Sequence, residues 1–243
     1  MTPPIPHARR SRVRSAVAPW AAALTRRSYP VLHAVATAAV AVGRGALHWA
    51  SLGPGDAGRV GFAAFGERSF IRQPYSDIVG APGIAIGADT LIGSGVNLAA
   101  VPQDEWSPGD EPLLRIGSRV WAAPGLHVVA HRRVEIGDDV WIGPGVYITD
   151  ADHDRSDPDV PIGHRMAPAR PVRIGAGSWL GTGVVVLSGV TIGERVTVGA
   201  NSVVCDDLPD GSVAVGAPAR VVREASALPS AADDDQRRAG GDQ

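Results

Sequence analysis

The stretch IGAGSWLGTGVVVLSGVTIGERVTVGANSVV, residues 174–204, repeats an apolar residue every six positions. Six matches neither the period of an α-helix nor the two-residue alternation of a half-buried strand. Glycine follows the apolar residue in most of these hexads, and glycine is unfavourable inside helices. The stretch therefore predicts short extended segments that present one row of apolar side chains to a shared core.

The same period begins at residue 86 and covers five groups of three hexads. The first residue of each hexad is Ile, Leu or Val, with a single alanine: Ile86, Ile92, Leu98, Ile116, Ala122, Val128, Ile136, Ile142, Ile148, Ile174, Leu180, Val186, Ile192, Val198 and Val204. Glycine follows it in the first two hexads of each group, apart from Ala123, and never in the third. Three unequal segments per turn predict a triangular prism of stacked turns, with glycine easing the backbone at its corners.

The position within a hexad predicts which side chains leave the prism. The fifth position is also apolar or small, so positions one and five face the core and position six faces outward. Three outward columns follow: Leu91, Trp121, Trp141, Trp179 and Thr197; Asn97, His127, Tyr147, Val185 and Val203; Gln103, Arg133, His153, Thr191 and Pro209. Because outward aromatic side chains mark association surfaces, we expect an interface at Trp121 and Trp141.

The six-residue repeat of apolar positions ends after His153. Residues 154–173 leave the pattern and carry four prolines, which favour a stiff extruded loop over another strand: Pro158, Pro161, Pro168 and Pro171. The histidine stands beside Asp150, Asp152 and Asp154, whose carboxylates we expect to favour an imidazolium. Asp152 is expected at an inward or corner position. Since histidine accepts protons near neutral pH, His153 is the candidate catalytic residue.

The amino-acid composition limits the classes of partner that the chain is expected to bind. The chain has 243 residues, 44% of them apolar, and a formal net charge of -2, so no global charge calls for nucleic acid. A single cysteine, Cys205, excludes an internal disulfide and suits a reducing compartment. The chain has no lysine, so a bound phosphate would be held by arginine or by backbone N–H groups.

The hexads over residues 68–223 resemble the hexapeptide-repeat proteins, which implies an all-β solenoid: a left-handed parallel β-helix with an extruded loop. The run ITDADH, the loop, and the segment from PVRIGAGSW to PARVVRE are similar to the maltose and galactoside O-acetyltransferases and to polysaccharide O-acetyltransferases. The resemblance implies a homotrimer that moves an acetyl or short acyl group from coenzyme A to a hydroxyl of a saccharide, polysaccharide or glycolipid. It also implies that His153 is the general base.

The resemblance assigns coenzyme-binding residues one at a time. Trp179 matches the aromatic residue beside the pantetheine arm, and Thr182 matches a backbone N–H near the thioester carbonyl. Ala200 matches a small residue whose backbone meets the pantetheine amides. Arg220 and Arg223, in PARVVRE, match the pair that holds the coenzyme phosphates.

Two departures from the family pattern affect these assignments. Cys205 and Asp206 stand where the family often has a threonine–lysine pair, so an acid replaces one phosphate contact. Ala123 and Ala130 stand where the galactoside and maltose enzymes hold the sugar with an asparagine and an aspartate. The resemblance therefore implies acyl transfer but does not identify the sugar.

Two other classes stay open. A γ-type carbonic anhydrase uses the same prism and three histidines to hold zinc, and His127, His131 and His153 invite that comparison. However, HVVAH spaces its histidines H-x3-H, whereas that family uses H-x4-H. We expect no metal. A noncatalytic β-helix scaffold is the second alternative; if His153 is not the base, His127, His131 and His164 are the remaining candidates.

The ends of the chain differ from the repeat region. Residues 1–55 form a basic segment with seven arginines and no acid. In it, residues 31–50 predict a helix with a polar stripe of His33, Thr37, Arg44 and His48, too short to span a bilayer. This helix packs on the prism or lies on an anionic membrane, in the second case at the inner face of the membrane of a cytoplasmic protein. We expect residues 56–223 to form the acyltransferase domain and residues 224–243 a disordered tail.

Overall fold

The computed structural model describes residues 30–31, 33–35, 37–43 and 51–224. The chain divides into two compact units, residues 1–46 and residues 47–243. In the first unit, the described residues between 30 and 43 are helical (α1), and the Thr37 hydroxyl donates to the backbone oxygen of His33 at 2.7 Å. Residues 44–50 of the predicted helix and the tail beyond residue 224 lie outside the described residues. No helix in the described ranges has the length and apolar content needed to cross a membrane.

The second unit begins with a short helix, α2 (Pro54–Val60). Proline opens it, where the missing N–H costs nothing, and the Asp56 carboxylate accepts the N–H of Gly53 at 3.3 Å. It ends at Gly61, whose φ of 84° is the left-handed conformation that favours glycine at a helix end.

Residues 51–224 then contain twenty short strands in three sheets. Sheet 1 comprises β1 (Ala64–Phe65), β4 (Ile84–Ile86), β7 (Leu114–Ile116), β10 (Val134–Ile136), β13 (Val172–Ile174) and β16 (Thr191–Ile192). Sheet 2 comprises β2 (Phe70–Ile71), β5 (Leu91–Ile92), β8 (Trp121–Ala122), β11 (Trp141–Ile142), β14 (Trp179–Leu180), β17 (Thr197–Val198), β19 (Val213–Val215) and β20 (Arg220–Arg223). Sheet 3 comprises β3 (Asp77–Val79), β6 (Asn97–Ala100), β9 (His127–Ala130), β12 (Tyr147–Thr149), β15 (Val185–Val186) and β18 (Val203–Val204).

From β1 to β18 consecutive strands belong to different sheets, so the chain visits the three sheets in turn and coils as a parallel β-helix. The named strands pair in parallel except β19 and β20, which are antiparallel. The register stacks the first residues of equivalent hexads, for example Ile136 on Ile174 and Ile174 on Ile192. The predicted prism of three hexads per turn is therefore confirmed.

The core of the prism consists of the residues that the hexads select. All fifteen first-position residues are buried, and so are the fifth-position valines from Val96 to Val196. Each fully buried Ile, Leu or Val side chain contributes about 1.5–3 kcal/mol relative to an exposed one. Stacked rows of these side chains are what hold successive turns together.

The glycines after the first position have a different role from the one expected. At Gly175 an added Cβ would lie 2.5 Å from the carbonyl carbon of Gly193 in the next turn, so the residue is small because two backbones touch. The left-handed corner residue comes two positions later, with φ between 54° and 69° at equivalent sites: Asp89, Arg119, Asp139, Gly177 and Arg195. Close stacking, rather than corner geometry, therefore requires the repeated glycine.

These corner residues also form ion pairs between turns. Arg68 Nη2 donates to Asp89 Oδ2 at 2.7 Å, and Arg119 Nε donates to Asp139 Oδ1 at 2.7 Å. The hydrogen bond from Arg68 holds the pKa of Asp89 below its ordinary value, and the bond from Arg119 does the same for Asp139, although burial acts in the opposite direction at both. The corner thus carries carboxylates that stay ionised in moderate acid.

The third outward column is partly wrong. The outward residues of sheet 1 are Ala85, Arg115, Glu135, Arg173 and Thr191, as the strand register places them. Gln103, Arg133, His153 and Pro209 lie outside that column. Counting by six fails because the chain adds residues where it passes from sheet 3 to sheet 1, as between Ala130 and Val134. Loops 101–113 and 150–171 both occupy this corner.

Candidate active site

His153 is exposed in loop 150–171, as the sequence predicted, but on the loop rather than on a sheet face. It pairs with Met166 in an isolated antiparallel bridge, and its ring Nδ1 lies 3.1 Å from the backbone oxygen of Arg165. A carbonyl oxygen can only accept a hydrogen bond, so Nδ1 carries the proton. The lone pair is therefore on Nε2, where an exposed imidazole can accept a proton from a substrate.

The guanidinium of Arg165 fixes the same part of the loop. It contacts the Asp154 carboxylate, donates to the Ser156 hydroxyl at 2.9 Å and lies 3.7 Å from an oxygen of Asp157. The backbone N–H and the hydroxyl of Ser156 hold the pKa of Asp154 below its ordinary value, and Arg165 acts in the same direction. Asp154 is therefore a loop-ordering carboxylate rather than a partner of the imidazole.

Asp150 is fully buried, and its role is not evident from the sequence. Its carboxylate accepts the backbone N–H groups of His131, Arg132 and Arg133 at 2.8, 2.7 and 2.7 Å. Its backbone oxygen accepts the Ser188 hydroxyl at 2.6 Å. The carboxylate thus caps a corner of the preceding turn.

Asp152 is the more exposed of the neighbouring aspartates: of the two expected positions it takes the corner, between sheet 3 and sheet 1, and not the inward one. Its side chain is 43% exposed and accepts the backbone N–H of His153 at 2.7 Å and Arg155 Nη2 at 3.1 Å. The inward residue of the pair is Asp150. Asp152 therefore contributes to loop geometry without the burial that a strong stability effect requires.

Sheet 2 presents the predicted aromatic column. Trp121, Trp141 and Trp179 are neighbours in register and are 41%, 57% and 56% exposed. The rings of Trp121 and Trp141 lie 5.4 Å apart between centroids. Three stacked indoles on one face form an apolar strip, which we call the tryptophan strip.

Thr182 and Ala200 occupy equivalent exposed positions at the corner between sheet 2 and sheet 3, in successive turns. The same position is proline in two earlier turns, at Pro124 and Pro144, so the corner does not need this N–H for its own structure. Among the hydrogen bonds of residues 51–224, none uses the N–H of Thr182 or Ala200. Both donors are available to a ligand.

The carboxyl-terminal strand β20 carries Arg220 and Arg223. Arg220 Nη1 donates to Asp206 Oδ2 at 2.9 Å and to the backbone oxygen of Ala219 at 2.8 Å. The two side chains of the ion pair are 61% and 67% exposed. Cys205 is exposed beside them, with Sγ 3.8 Å from Asp206 Oδ2. Asp206 therefore forms an ion pair with one of the two arginines that are predicted to hold phosphate.

The remaining predicted positions lie elsewhere. His127 projects from β9, His131 lies at the next corner, and His164 ends a 3-10 turn (Ile162–His164). Across residues 51–224 and the described part of α1, no three His, Cys, Asp or Glu side chains come together as a possible metal site. Ala123 and Ala130 are 2% and 0% exposed, so neither presents a side chain to a ligand.

A groove of about 630 Å³ runs along the outer face of sheet 1, with Arg115, Glu135 and Arg173 on its floor. None of the predicted site residues lines it. The candidate catalytic and coenzyme-binding groups are instead distributed over a loop, a corner and an edge strand. A single chain thus presents these groups on its surface rather than within a closed cleft.

Comparison with known proteins supports the hexapeptide repeat that the sequence shows. Residues 171–206 match the family described as bacterial transferase hexapeptide (six repeats). The chain is 35% identical over 156 residues to the probable acetyltransferase Rv3034c of Mycobacterium tuberculosis, covering 58% of this chain and 52% of that protein. It is 38% identical over 106 residues to the putative lipopolysaccharide biosynthesis O-acetyl transferase WbbJ of Escherichia coli, covering 41% of this chain and 54% of that one. It thus spans about half the length of these curated relatives.

Among solved structures, the chain is similar to AntD, an N-acyltransferase from Bacillus cereus in complex with dTDP and 3-hydroxybutyryl-CoA. The TM-score is 0.57 at 19% identity, with 78% of this chain and 95% of that chain covered. At this identity the likeness concerns the fold, which is a left-handed parallel β-helix. Together, the repeat match over residues 171–206, the named relatives and the shared fold show that this chain is a left-handed parallel β-helix that contains bacterial transferase hexapeptide repeats.

Proposed function

We propose that the chain is an acyl-coenzyme A-dependent O-acyltransferase that acylates a hydroxyl of a saccharide, polysaccharide or glycolipid. One observation carries the proposal: the exposed imidazole of His153 is held through Nδ1 by the Arg165 carbonyl, which leaves Nε2 free as a base. The relatives named as acetyltransferases support the reaction class.

In this mechanism, Nε2 of His153 takes the proton of the acceptor hydroxyl as its oxygen attacks the thioester carbonyl carbon. The carbon–sulfur bond then breaks, and the imidazolium returns the proton to the leaving thiolate. The products are an ester and free coenzyme A, and the chain carries no covalent intermediate. The N–H of Thr182 is a suitable donor to the oxyanion, because it has no partner among the described residues.

The coenzyme would lie along the corner of Thr182 and Ala200. The free N–H groups there suit pantetheine amide oxygens, and the exposed indole of Trp179 suits the aliphatic arm. Arg220 and Arg223 on β20 would hold the phosphates, because forked guanidiniums match phosphate oxygens and the chain has no lysine.

The acceptor is proposed from the names of relatives and from the absence of polar sugar-binding side chains at two positions. WbbJ is named for lipopolysaccharide biosynthesis, whereas AntD is named as an N-acyltransferase. The positions that hold the sugar in the galactoside enzymes are the buried alanines Ala123 and Ala130. We favour a larger glycan or glycolipid over a free disaccharide.

The test is thiol release from acetyl-coenzyme A by the purified protein in the presence of cell-envelope glycans, with His153→Ala as the control. An O-acyl product loses its label in alkaline hydroxylamine, whereas an N-acyl product keeps it. A stable label on an amine would contradict the sugar hydroxyl. No thiol release with any glycan or amine would favour the noncatalytic scaffold.

We further propose a homotrimer in which Trp121 and Trp141 of the tryptophan strip are covered by a neighbouring subunit. Supporting this, more than two fifths of the surface of each of these two residues is exposed in the single chain. Light scattering at micromolar concentration should give three times the chain mass of 25.1 kDa. A monomer under these conditions would remove both the trimer and any site shared between subunits.

The basic amino-terminal segment supports a peripheral contact with the inner face of the membrane by a cytoplasmic protein. It has seven arginines and no acid in residues 1–55, a charge that anionic lipids attract. The full chain should sediment with vesicles that contain anionic lipid, and salt should release it. Equal sedimentation with neutral vesicles, or none with either, would contradict this contact.

A further inference from the structure

Gln103 joins the two loops at the corner between sheet 3 and sheet 1. From loop 101–113, its Nε2 donates to the backbone oxygen of Ala167 at 2.9 Å, and its Oε1 accepts the N–H of Ala169 at 2.7 Å. Both partners belong to loop 150–171. One amide group therefore satisfies a donor and an acceptor on a segment more than sixty residues away in sequence.

The segment that Gln103 binds also holds the imidazole of His153. The N–H of Ala167 donates to the backbone oxygen of Asp152 at 2.9 Å, and the N–H of Asp154 donates to that of Arg165 at 3.1 Å. The same Arg165 oxygen lies 3.1 Å from Nδ1 of His153. Residues 152–154 and 165–167 thus form a short antiparallel pair. Gln103 binds this pair at Ala167, and the Arg165 oxygen at its other end contacts the His153 ring.

The backbone of the loop that carries Gln103 is hydrogen-bonded to the prism. The N–H of Gln103 donates to the backbone oxygen of His131 at 3.1 Å, and the N–H of Val101 donates to that of Ala130 at 2.9 Å. The loop it holds has little packing of its own: within residues 151–171, all of them described, only Ala169 is buried. Because so few apolar contacts order this loop, its polar contacts set its geometry.

We propose that Gln103 is a positioning residue for His153: it holds the 165–167 segment so that the Arg165 carbonyl keeps the ring in the Nδ1-protonated form, with Nε2 directed at the acceptor. The proposal rests on the proposed function, since it treats His153 as the base. Gln103 itself is exposed, so its removal opens no cavity in the core. A kinetic effect would therefore come from geometry rather than from lost packing.

The experiment compares Gln103→Ala with Glu105→Ala, an exposed side chain in the same loop. Gln103→Ala should lower kcat about tenfold while the KM for acetyl-coenzyme A stays within about twofold, because misplacement of a catalytic group affects the chemical step. Glu105→Ala should behave as the wild type. Gln103→Asn, one methylene shorter, should not restore activity.

Two further readouts separate positioning from a structural role. In a double variant with His153→Ala, removing Gln103 should cost nothing more, because its effect acts through the imidazole. Nitrogen NMR of His153 should show the Nδ1–H tautomer in the wild type and a mixture in Gln103→Ala. An additive double variant, or a wild-type kcat and tautomer in Gln103→Ala, would overturn the proposal. If no variant releases thiol, the proposed function fails, and the tautomer still decides the role of Gln103.

Discussion

Arg220 and Asp206 form an ion pair across the end of the prism, with Nη1 of the guanidinium 2.9 Å from Oδ2 of the carboxylate. A phosphate that binds Nη1 of Arg220 competes with this carboxylate. Because an exposed pair is worth about 0.2–1 kcal/mol, Asp206→Asn should lower the donor KM by a factor of roughly 1.4 to 5. Replacing Arg220 and Arg223 together by alanine should raise the donor KM more than the acceptor KM, as steady-state kinetics can show. Unchanged donor binding in the double variant would remove the phosphate site from β20.

His153→Ala should lower kcat by roughly 10²-fold or more, which is the usual contribution of general-base catalysis. The fold and assembly should persist, since the side chain is exposed. His164→Ala, in the same loop, is the matched control and should keep its activity. Near-full activity of folded His153→Ala at neutral pH would move the base to another histidine.

Asp150→Ala should destabilise the protein by about 2–4 kcal/mol in a denaturant titration, because three backbone N–H groups lose a charged acceptor. Asp152→Ala should cost less than about 1 kcal/mol, since that carboxylate is half exposed. Equal losses for the two variants would contradict the buried role of Asp150.

Gly175→Ala should cost about 2–4 kcal/mol, because the new Cβ would lie 2.5 Å from the backbone of the next turn. Gly145→Asn should cost less than about 1 kcal/mol. Its φ of 68° is matched by 57° at Asn201 in the equivalent position, and nothing lies within 4 Å of an added Cβ. Thermal unfolding of the two variants measures the difference, and similar Tm values would be inconsistent with close stacking as the reason for the repeated glycine.

Stability in acid should depend on Asp89 and Asp139. Their pKa values are lowered in the folded protein by Arg68 and Arg119, so the ionised forms stabilise the fold above the unfolded value of about 3.9 and lose this effect as pH falls through the folded values. The double variant with asparagine should therefore have a lower Tm than the wild type at neutral pH, and the difference should shrink below about pH 3. A constant difference in Tm across this range would contradict the role of the two corner pairs.

The prism could be predicted because each turn repeats the same local rule. Ile136, Ile174 and Ile192 lie thirty-eight and eighteen residues apart, yet each is the first residue of its hexad and each is buried in register. The extruded loop was equally visible, since prolines interrupt the repeat after His153. Periodicity identifies such features because it reports burial directly.

The polar contacts of the site could not be predicted in the same way. Asp150 and Gln103 bind backbone groups at corners, where the chain follows no repeat, and their partners come from other turns. Nothing in the residue types distinguishes the buried Asp150 from the exposed Asp152. Which of them faces inward depends on the bend after Thr149, a property of the folded corner rather than of the sequence pattern.

The corner between sheet 3 and sheet 1 has an evolutionary consequence. Leu114, Val134 and Val172 pair in one register although three residues separate strands β9 and β10 and a long loop separates β12 and β13. Insertions and deletions here leave the ladders unshifted, whereas a single inserted residue within a strand would turn its side chains to the wrong face. Descendants of this chain can thus exchange whole loops at one edge, while the sheets of the prism stay unaltered.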